Sequence, residues 1–187
     1  MNIIDKNALL KKVSPLIFKE GDEVYKQFMN NYIVHTKGFF ILGSSGSGKT
    51  HFVKNQKEKH WIDGDDLWTA AGASPNRAWW TEGPEVTADV DRKRDIITQQ
   101  AKRLGLWITG PSNNWLIPDA IVIPDWELHK SYIIERERNH YDGGVREGDF
   151  PDVLAHRDSL MRLAKEKNIA VFPSIKEAVD FLVNSLN

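Results

Sequence analysis

Short runs of apolar residues alternate along most of the chain with longer segments in which apolar positions recur at helical spacing. The apolar runs predict five strands, at residues 39–42, 60–63, 106–109, 120–123 and 169–172. The amphipathic segments predict helices at residues 49–57, 88–104, 125–140, 153–168 and 174–186. Strands that alternate with helices are typical of a parallel sheet covered on both faces, so the pattern predicts an α/β fold.

The N-terminal segment does not follow this alternation. Apolar residues from Ile3 to Ile17 form an irregular helical stripe, and the stretch EGDEVYKQFMNNY comes next, so residues 1–35 are expected to be helical. The pattern predicts a helical extension at residues 1–36, packed on a domain at residues 37–187. A chain of 187 residues has the size of a single domain with its own core.

Composition and charge narrow the class of protein. The chain has no cysteine, which excludes disulfides and thiolate metal sites and suits a reducing cytoplasm. Charged residues interrupt the apolar N-terminus, which argues against a signal peptide, and no apolar run is long enough to span a bilayer. The net charge of −1 is low for a protein that binds nucleic acid nonspecifically, so any such contact needs a local basic patch.

The segment after the first strand reads GSSGSGKT, the Gly-x-x-x-x-Gly-Lys-Thr spacing of a phosphate-binding P-loop. Glycines let the backbone turn tightly, so that several N–H groups and the start of the next helix point at one phosphate. A flexible linker is the alternative, but a linker needs neither a preceding apolar strand nor a following helix. The predicted phosphate-binding residues are Gly43, Ser44, Ser45, Gly46, Ser47, Gly48, Lys49 and Thr50. The expected ligands are ATP and Mg²⁺, with Lys49 on the β- and γ-phosphates and Thr50 on the metal.

A second polar cluster follows the second strand, in the sequence WIDGDDLW. Ligands of parallel sheets bind at the carboxyl ends of the strands, which places these carboxylates on the same side as the P-loop. One carboxylate can order Mg²⁺ and another can accept the proton of an attacking hydroxyl. An ordinary surface turn is the alternative, because aspartate and glycine favour turns.

Together the two motifs resemble the P-loop kinases of small molecules and nucleic-acid ends. That group is related to nucleoside monophosphate kinases, gluconate and adenylylsulfate kinases and phage polynucleotide kinase. The resemblance covers residues 38–187 and implies a P-loop NTPase three-layer sandwich with a five-stranded parallel sheet and a lid. It also implies that Asp65 is the general base and that Asp63 is the next candidate and a metal ligand, whereas Asp66 is structural.

The resemblance continues into the segment IPDWELHKSYIIERER, which is similar to the fourth strand and the helix that enters the lid in these kinases. It implies catalytic roles for Arg136 and Arg138, which would contact the transferring phosphoryl oxygens. Exposed helix arginines without such a role are the alternative. In a different interpretation Asp125 ends a Walker B strand and holds Mg²⁺, although the preceding proline disturbs that pattern.

The region between the second strand and the next helix predicts the acceptor site. Aromatic rings beside an arginine suit a stacked base and a phosphate, and polar groups after the third strand can hydrogen-bond a substrate. The predicted substrate residues are Trp68, Arg77, Trp79, Trp80 and Asn113. For Trp79 and Trp80 a hydrophobic cover is the alternative, and the tryptophans in or beside strands, Trp61, Trp107, Trp115 and Trp126, are expected in the core.

The segments DGDDLW and ASPNRAWW resemble the viral DNA-modifying P-loop kinases. That family phosphorylates the hydroxymethyl group of 5-hydroxymethyluracil in phage DNA, which implies a DNA acceptor and a location in the host cytoplasm. A kinase of a free mononucleotide or small metabolite is the first alternative, because it would use the same catalytic residues. A P-loop ATPase or switch is the second, although the chain contains no Asn-Lys-x-Asp tetrad of a GTPase.

Overall fold

Five short strands form one sheet in the computed structural model, which describes residues 18, 20–75, 77, 79–113, 115–139 and 144–186. The strand order is β2-β3-β1-β4-β5, and β1 with β4 and β4 with β5 pair in parallel. The strands are β1 Phe39–Gly43, β2 Trp61–Asp63, β3 Trp107–Gly110, β4 Ala120–Val122 and β5 Val171–Phe172. This sheet confirms the predicted α/β fold with five parallel strands.

Helices connect and flank the strands throughout the described part of the chain. They are α1 Glu23–Asn31, α2 Lys49–Asn55, α3 Gly64–Ala70, α4 Pro84–Arg103, α5 Trp126–Arg138, α6 Phe150–Lys167 and α7 Ile175–Asn184. Helix α1 confirms the predicted helix before the first strand, whereas the prediction for residues 1–17 lies outside the described residues. None of the described helices is long and apolar enough to cross a membrane.

Two compact units divide these elements, and each has its own buried residues. Unit 1 comprises Met1–Gly38, Glu58–Ile108 and Asn113–Leu116, and unit 2 comprises Phe39–Lys57, Thr109–Ser112 and Ile117–Asn187. In unit 1 the core includes Trp61, Ile62, Leu67, Trp68, Ile97 and Leu106, and in unit 2 it includes Phe39, Phe40, Ile41, Leu42, Ile121 and Ile133. The predicted boundary at residue 36 stays a prediction.

The main difference from the sequence-based expectation is helix α3, in a segment where the pattern predicts no helix. Asp63 caps this helix, because its carboxylate accepts a hydrogen bond from the Asp65 backbone N–H at 3.1 Å. Aspartate and glycine are favoured in turns and also at helix N-termini, so their presence did not distinguish the two.

Two other helices begin before the predicted residue, because each has a proline in its first turn. Helix α4 begins at Pro84 rather than at residue 88. Helix α6 begins at Phe150 rather than at residue 153, so residues 150–152 are also helical. Proline suits the first turn of a helix, where its missing N–H would have no partner within the helix.

Candidate functional site

The loop between β1 and α2 has the backbone shape that a P-loop requires. Gly46 and Gly48 adopt positive φ angles of 84° and 90°, which side chains other than that of glycine rarely tolerate. The Ser47 N–H donates to the Ser44 carbonyl at 3.2 Å and closes the turn. Helix α2 begins at Lys49 directly after Gly48, as the motif predicts.

Lys49 lies against this loop and is 7% exposed. Its ammonium group donates to the carbonyl oxygens of Gly43 and Ser44 at 2.6 and 2.7 Å and approaches the Ser47 hydroxyl at 3.3 Å. Among the described residues, the buried Ser44 hydroxyl has no hydrogen-bond partner, and a Cβ atom added at Gly48 would meet nothing within 4 Å. The loop therefore combines a positive charge, a buried hydroxyl group and unobstructed backbone, which fits a phosphate group.

A cavity of about 730 Å³ adjoins the loop within unit 2. Gly46, Ser47, Gly48 and Thr50 form one side, and residues 173–176 at the start of α7 form another. Tyr132 and Arg136 of α5 complete the wall. Ligand pockets for molecules of nucleotide size have volumes of roughly 300–1,000 Å³, so the cavity has the size for a nucleoside attached to phosphates.

Helix α5 contacts the loop through a histidine that the sequence did not single out. His129 is completely buried, and its Nε2 lies 2.8 Å from the Ser45 carbonyl oxygen. Its Nδ1 lies 3.0 Å from the Arg157 guanidinium, which also donates to the Pro124 carbonyl at 2.8 Å. Burial lowers the pKa of His129, and the positive charges of Arg157 and Lys49 lower it further, whereas the Ser45 bond opposes them. The imidazole is therefore neutral near pH 7.

The two arginines with predicted catalytic roles differ in their placement. Arg136 lines the cavity and donates to the Val145 carbonyl, so it connects α5 to the segment before α6. Arg138 is exposed at the end of α5. Asp125 caps α5 by accepting from the backbone N–H of Glu127 at 2.9 Å, and its alternative Walker B role stays a prediction.

The three aspartates after β2 have different environments within unit 1. Asp63 is 5% exposed and caps α3. Asp65 has an exposed side chain whose carboxylate lies 3.6 Å from the buried Arg94 guanidinium. Asp66 is exposed, on the first turn of the same helix. Of the three, Asp65 combines solvent access with a neighbouring fixed charge.

Asp65 and Asp66 line a second cavity, of about 600 Å³, that lies within unit 1. Helix α1 and the residue after it supply the opposite wall, with Gln27, Asn31 and Tyr32. Burial raises the pKa of Tyr32, and the charges of Asp66 and Asp63 raise it further, so the phenol keeps its proton. No pattern in the sequence indicates that the N-terminal helix shares a cavity with the candidate general base, because the contact depends on tertiary packing.

The tryptophans predicted to contact substrate belong mainly to the core of unit 1. Trp68 is completely buried and donates from Nε1 to the Thr98 hydroxyl at 2.9 Å. Arg94 lies over the rings of both Trp68 and Trp79, at 4.5 and 4.6 Å from their centroids. Burial therefore argues against substrate contact by Trp68, and the 7% exposure of Trp79 favours the alternative of a hydrophobic cover over base contact. Trp80 is 60% exposed, so a ligand can reach its ring, and its substrate role stays a prediction.

The other predicted substrate residues already have partners in the protein. Arg77 forms an ion pair with Glu82 at 2.5 Å. The Asn113 side-chain amide donates to the Leu116 carbonyl, which holds the loop after β3. Both contacts are local, so a substrate would have to compete with them. Trp115 was predicted in the core and is instead 49% exposed.

The residues proposed for Mg²⁺ lie in different units. Thr50 lines the cavity of unit 2, and Asp63 is the cap of α3 in unit 1. Within the described ranges, no group of three or more histidine, aspartate or glutamate side chains could hold a metal ion. Magnesium bound with nucleotide phosphates needs only one or two protein ligands, so the Thr50 hydroxyl in the loop fits that kind of site.

Comparisons of the chain with protein-family models, with curated proteins and with solved structures found no match. The strand order and the parallel sheet are compatible with P-loop-like folds. The functional assignment therefore depends on the motif and on the geometry described above.

Proposed function

We propose that this protein is an ATP-dependent kinase that transfers the γ-phosphate to a hydroxyl group of a nucleotide or nucleic-acid acceptor. The observation that carries the proposal is the loop at residues 43–50, where two positive-φ glycines and the Lys49 ammonium surround a site that fits phosphate. The adjoining cavity supports a nucleotide as the source of that phosphate, because it extends from the loop to residues 173–176.

In this proposal the residues of unit 2 bind and orient the donor. The loop N–H groups and Lys49 hold the phosphates, and Lys49 exchanges its present carbonyl partners for phosphate oxygens. Arg136 stabilises negative charge on the transferring group. Bound Mg²⁺ supplies charge neutralisation on the phosphates, and the Thr50 hydroxyl is the residue that would hold it.

The residues of unit 1 activate the acceptor. Asp65 accepts the proton of the attacking hydroxyl, since its carboxylate is exposed and lies in a cavity large enough for a small ligand. Asp63 contributes less directly, because one of its oxygens caps α3. Phosphorylation of 5-hydroxymethyluracil in phage DNA is the most specific form of the proposal.

A kinase of a free small molecule is the second candidate, and the cavity of unit 1 favours it. Asp65 and Asp66 together place two carboxylates on its wall, and Lys59 is the cation among the lining residues. Carboxylates accept hydrogen bonds from hydroxyl groups and repel phosphates. The part of an acceptor that enters this cavity is therefore expected to be an uncharged, hydroxyl-bearing group.

Transfer of labelled γ-phosphate to a panel of acceptors tests the proposal. The panel contains nucleosides, mononucleotides, simple sugars and DNA with and without hydroxymethylated bases. We expect Lys49→Ala to abolish transfer, and Asp65→Asn to lower kcat about 10²–10⁴-fold with little change in ATP affinity, because only the proton acceptor is lost.

Asp66→Asn is the matched control, because it makes the same change one residue along α3. Equal transfer by Asp65→Asn and Asp66→Asn would contradict the role of Asp65, and near-normal transfer by Lys49→Ala would contradict the P-loop role. Hydrolysis of ATP with no transfer to any acceptor would favour an ATPase or switch.

A further inference from the structure

We propose that His129 is a positioning residue that orients the Ser45–Gly46 peptide of the P-loop for phosphate binding. This inference rests on the proposed function, because it concerns how the loop presents its backbone N–H groups. His129 belongs to helix α5 and lies 84 residues from its loop partner in the chain. It is completely buried, and the sequence motif of the loop does not include it.

The contact with His129 shows which way the Ser45–Gly46 peptide is turned. The Ser45 carbonyl points at His129, with 2.8 Å between the oxygen and Nε2. In a trans peptide the carbonyl and the following N–H point in opposite directions, and the described chain contains no cis peptide. The Gly46 N–H therefore points away from His129. By holding the carbonyl, His129 selects one of the two faces of the loop for this N–H.

The contact with Arg157 determines which ring nitrogen of His129 carries the proton. The Arg157 guanidinium has only donors, so the 3.0 Å contact makes Nδ1 of His129 an acceptor. The proton of the neutral ring is then on Nε2, which donates to the Ser45 carbonyl. Arg157 is itself held by its bond to the Pro124 carbonyl at 2.8 Å. The chain of contacts from Pro124 through Arg157 and His129 to Ser45 therefore determines both the orientation and the protonation of the ring.

Two side chains of α5 pack closely against Gly46. A Cβ atom added there would lie 2.7 Å from Cγ1 of Ile133 and 3.2 Å from Nε2 of His129. Helix α5 thus contacts the loop at van der Waals distance on the side opposite to the Gly46 N–H. This packing leaves little room for the peptide to rotate, and the hydrogen bond removes the remaining freedom.

Protonation of His129 would break this arrangement. A second ring proton on Nδ1 would face the N–H of Arg157, so the acceptor is lost and two positive charges meet. The charged and titratable groups around the ring are Arg157, Lys49, Arg136, His156 and, through Arg157, Asp125. Burial and these cations lower the pKa of His129, so the ring is neutral near pH 7 and gains its second proton in more acidic solution, where the loop loses its fixed orientation.

Nucleotide affinity of three variants tests the inference, with MgADP as the probe. His129→Leu removes the donor and should weaken MgADP binding about 10-fold, the value of one hydrogen bond of ~1.4 kcal/mol. His129→Gln supplies an amide N–H for Ser45 and a carbonyl oxygen for Arg157, and should bind within about threefold of the wild type. Ser131→Ala, on the exposed side of the same helix, is the control and should bind as the wild type does.

The pH dependence separates positioning from general stability. Wild-type affinity for MgADP should fall between pH 7 and pH 5 more steeply than that of His129→Gln, because glutamine has no ring proton to gain. Both proteins share the titration of the ADP phosphate, so the difference between their profiles reports His129. Unfolding midpoints of all variants, measured in parallel, show whether each is folded at the assay temperature.

The binding measurements distinguish failure of the His129 inference from failure of the proposed function. Weak binding by His129→Leu, recovery in His129→Gln and the difference in pH profile would support the inference. Equal affinity of His129→Leu and Ser131→Ala, with normal wild-type binding, would overturn the inference alone. A wild-type protein that binds neither MgADP nor MgATP would overturn the proposed function and this inference with it.

Discussion

Gly46→Ala tests the P-loop geometry through stability rather than activity, and the structure supplies a matched control in Gly48→Ala. Both glycines have positive φ angles, 84° and 90°. At Gly46 the new Cβ would lie 2.7 Å from Cγ1 of Ile133, whereas at Gly48 it would meet nothing within 4 Å. The two substitutions therefore share the backbone cost and differ in the steric cost.

The expected magnitudes follow from this difference. A positive φ costs an alanine roughly 1–2 kcal/mol, and this cost applies at both positions. Overpacking in a well-packed region adds about 1–3 kcal/mol, and this cost applies at Gly46 alone. Gly48→Ala should therefore lower the free energy of unfolding by ~1–2 kcal/mol, and Gly46→Ala by ~2–5 kcal/mol.

Urea unfolding at equilibrium measures both changes, and the double variant Gly46→Ala/Ile133→Ala locates the steric part. Removing the Ile133 side chain alone costs about 2–5 kcal/mol, but it also removes the atom that the new methyl group would contact. The cost of Gly46→Ala should therefore be smaller by about 1–3 kcal/mol in the Ile133→Ala background. Equal losses for Gly46→Ala and Gly48→Ala, or no coupling to Ile133, would refute the packing of α5 on the loop.

Two further predictions concern stability and the core. Burial lowers the pKa of His156 to about 4, and the charges of Lys49 and His129 contribute to this shift. Between pH 6.5 and pH 4 the unfolded chain therefore binds a proton at His156 that the folded protein does not bind. The free energy of unfolding should therefore decrease as the pH drops through this range, and the decrease should be smaller in His156→Gln. The same dependence of the unfolding free energy on pH in both proteins would contradict the burial of His156. Trp68→Phe should lower stability by about 1–3 kcal/mol, because Thr98 loses the indole N–H and the core loses volume, while the KM for acceptor stays the same. A changed acceptor KM in a stably folded Trp68→Phe protein would restore the predicted substrate role.

The sheet could be predicted from the sequence because the residues of its first four strands are all buried. Residues 39–42 are apolar without interruption and are almost completely buried, which is the pattern of a central parallel strand. The tight loop at residues 43–50 could be predicted for a related reason, since local backbone angles require glycine at positions 46 and 48. In both cases the signal is contained in a few consecutive residues.

The aromatic cluster of unit 1 could not be predicted in the same way. The sequence places Arg77 two residues before Trp79, which suggested a shared ligand site. In the structure Arg77 pairs with Glu82, and the cation beside Trp79 is Arg94, 15 residues along the chain on helix α4. Which arginine approaches a given ring depends on how α3 and α4 pack, and composition carries no information about that packing.

His129 was missed for a comparable reason. A histidine within WELHKSYIIERER is ordinary on an amphipathic helix, and its ring reaches the loop because of the rotation of α5 about its axis. That rotation also buries Ile133, one turn further along α5. The sequence does contain one indication of this placement, because His129 and Ile133 are four residues apart and therefore share one face of the helix.

The aspartates show how a structural role limits a catalytic one. Asp63 ends β2 and Asp125 follows β4, and each precedes a helix and uses a carboxylate oxygen to accept from the backbone at that helix's N-terminus. A capping carboxylate is held in place, and an oxygen that accepts a hydrogen bond is a weaker base for a substrate proton. Asp65 lines the cavity of unit 1, and its exposed carboxylate lies 3.6 Å from the guanidinium of Arg94. An acceptor hydroxyl can reach Asp65 more easily than the buried Asp63, and the proposal that Asp65 accepts the hydroxyl proton depends on that access.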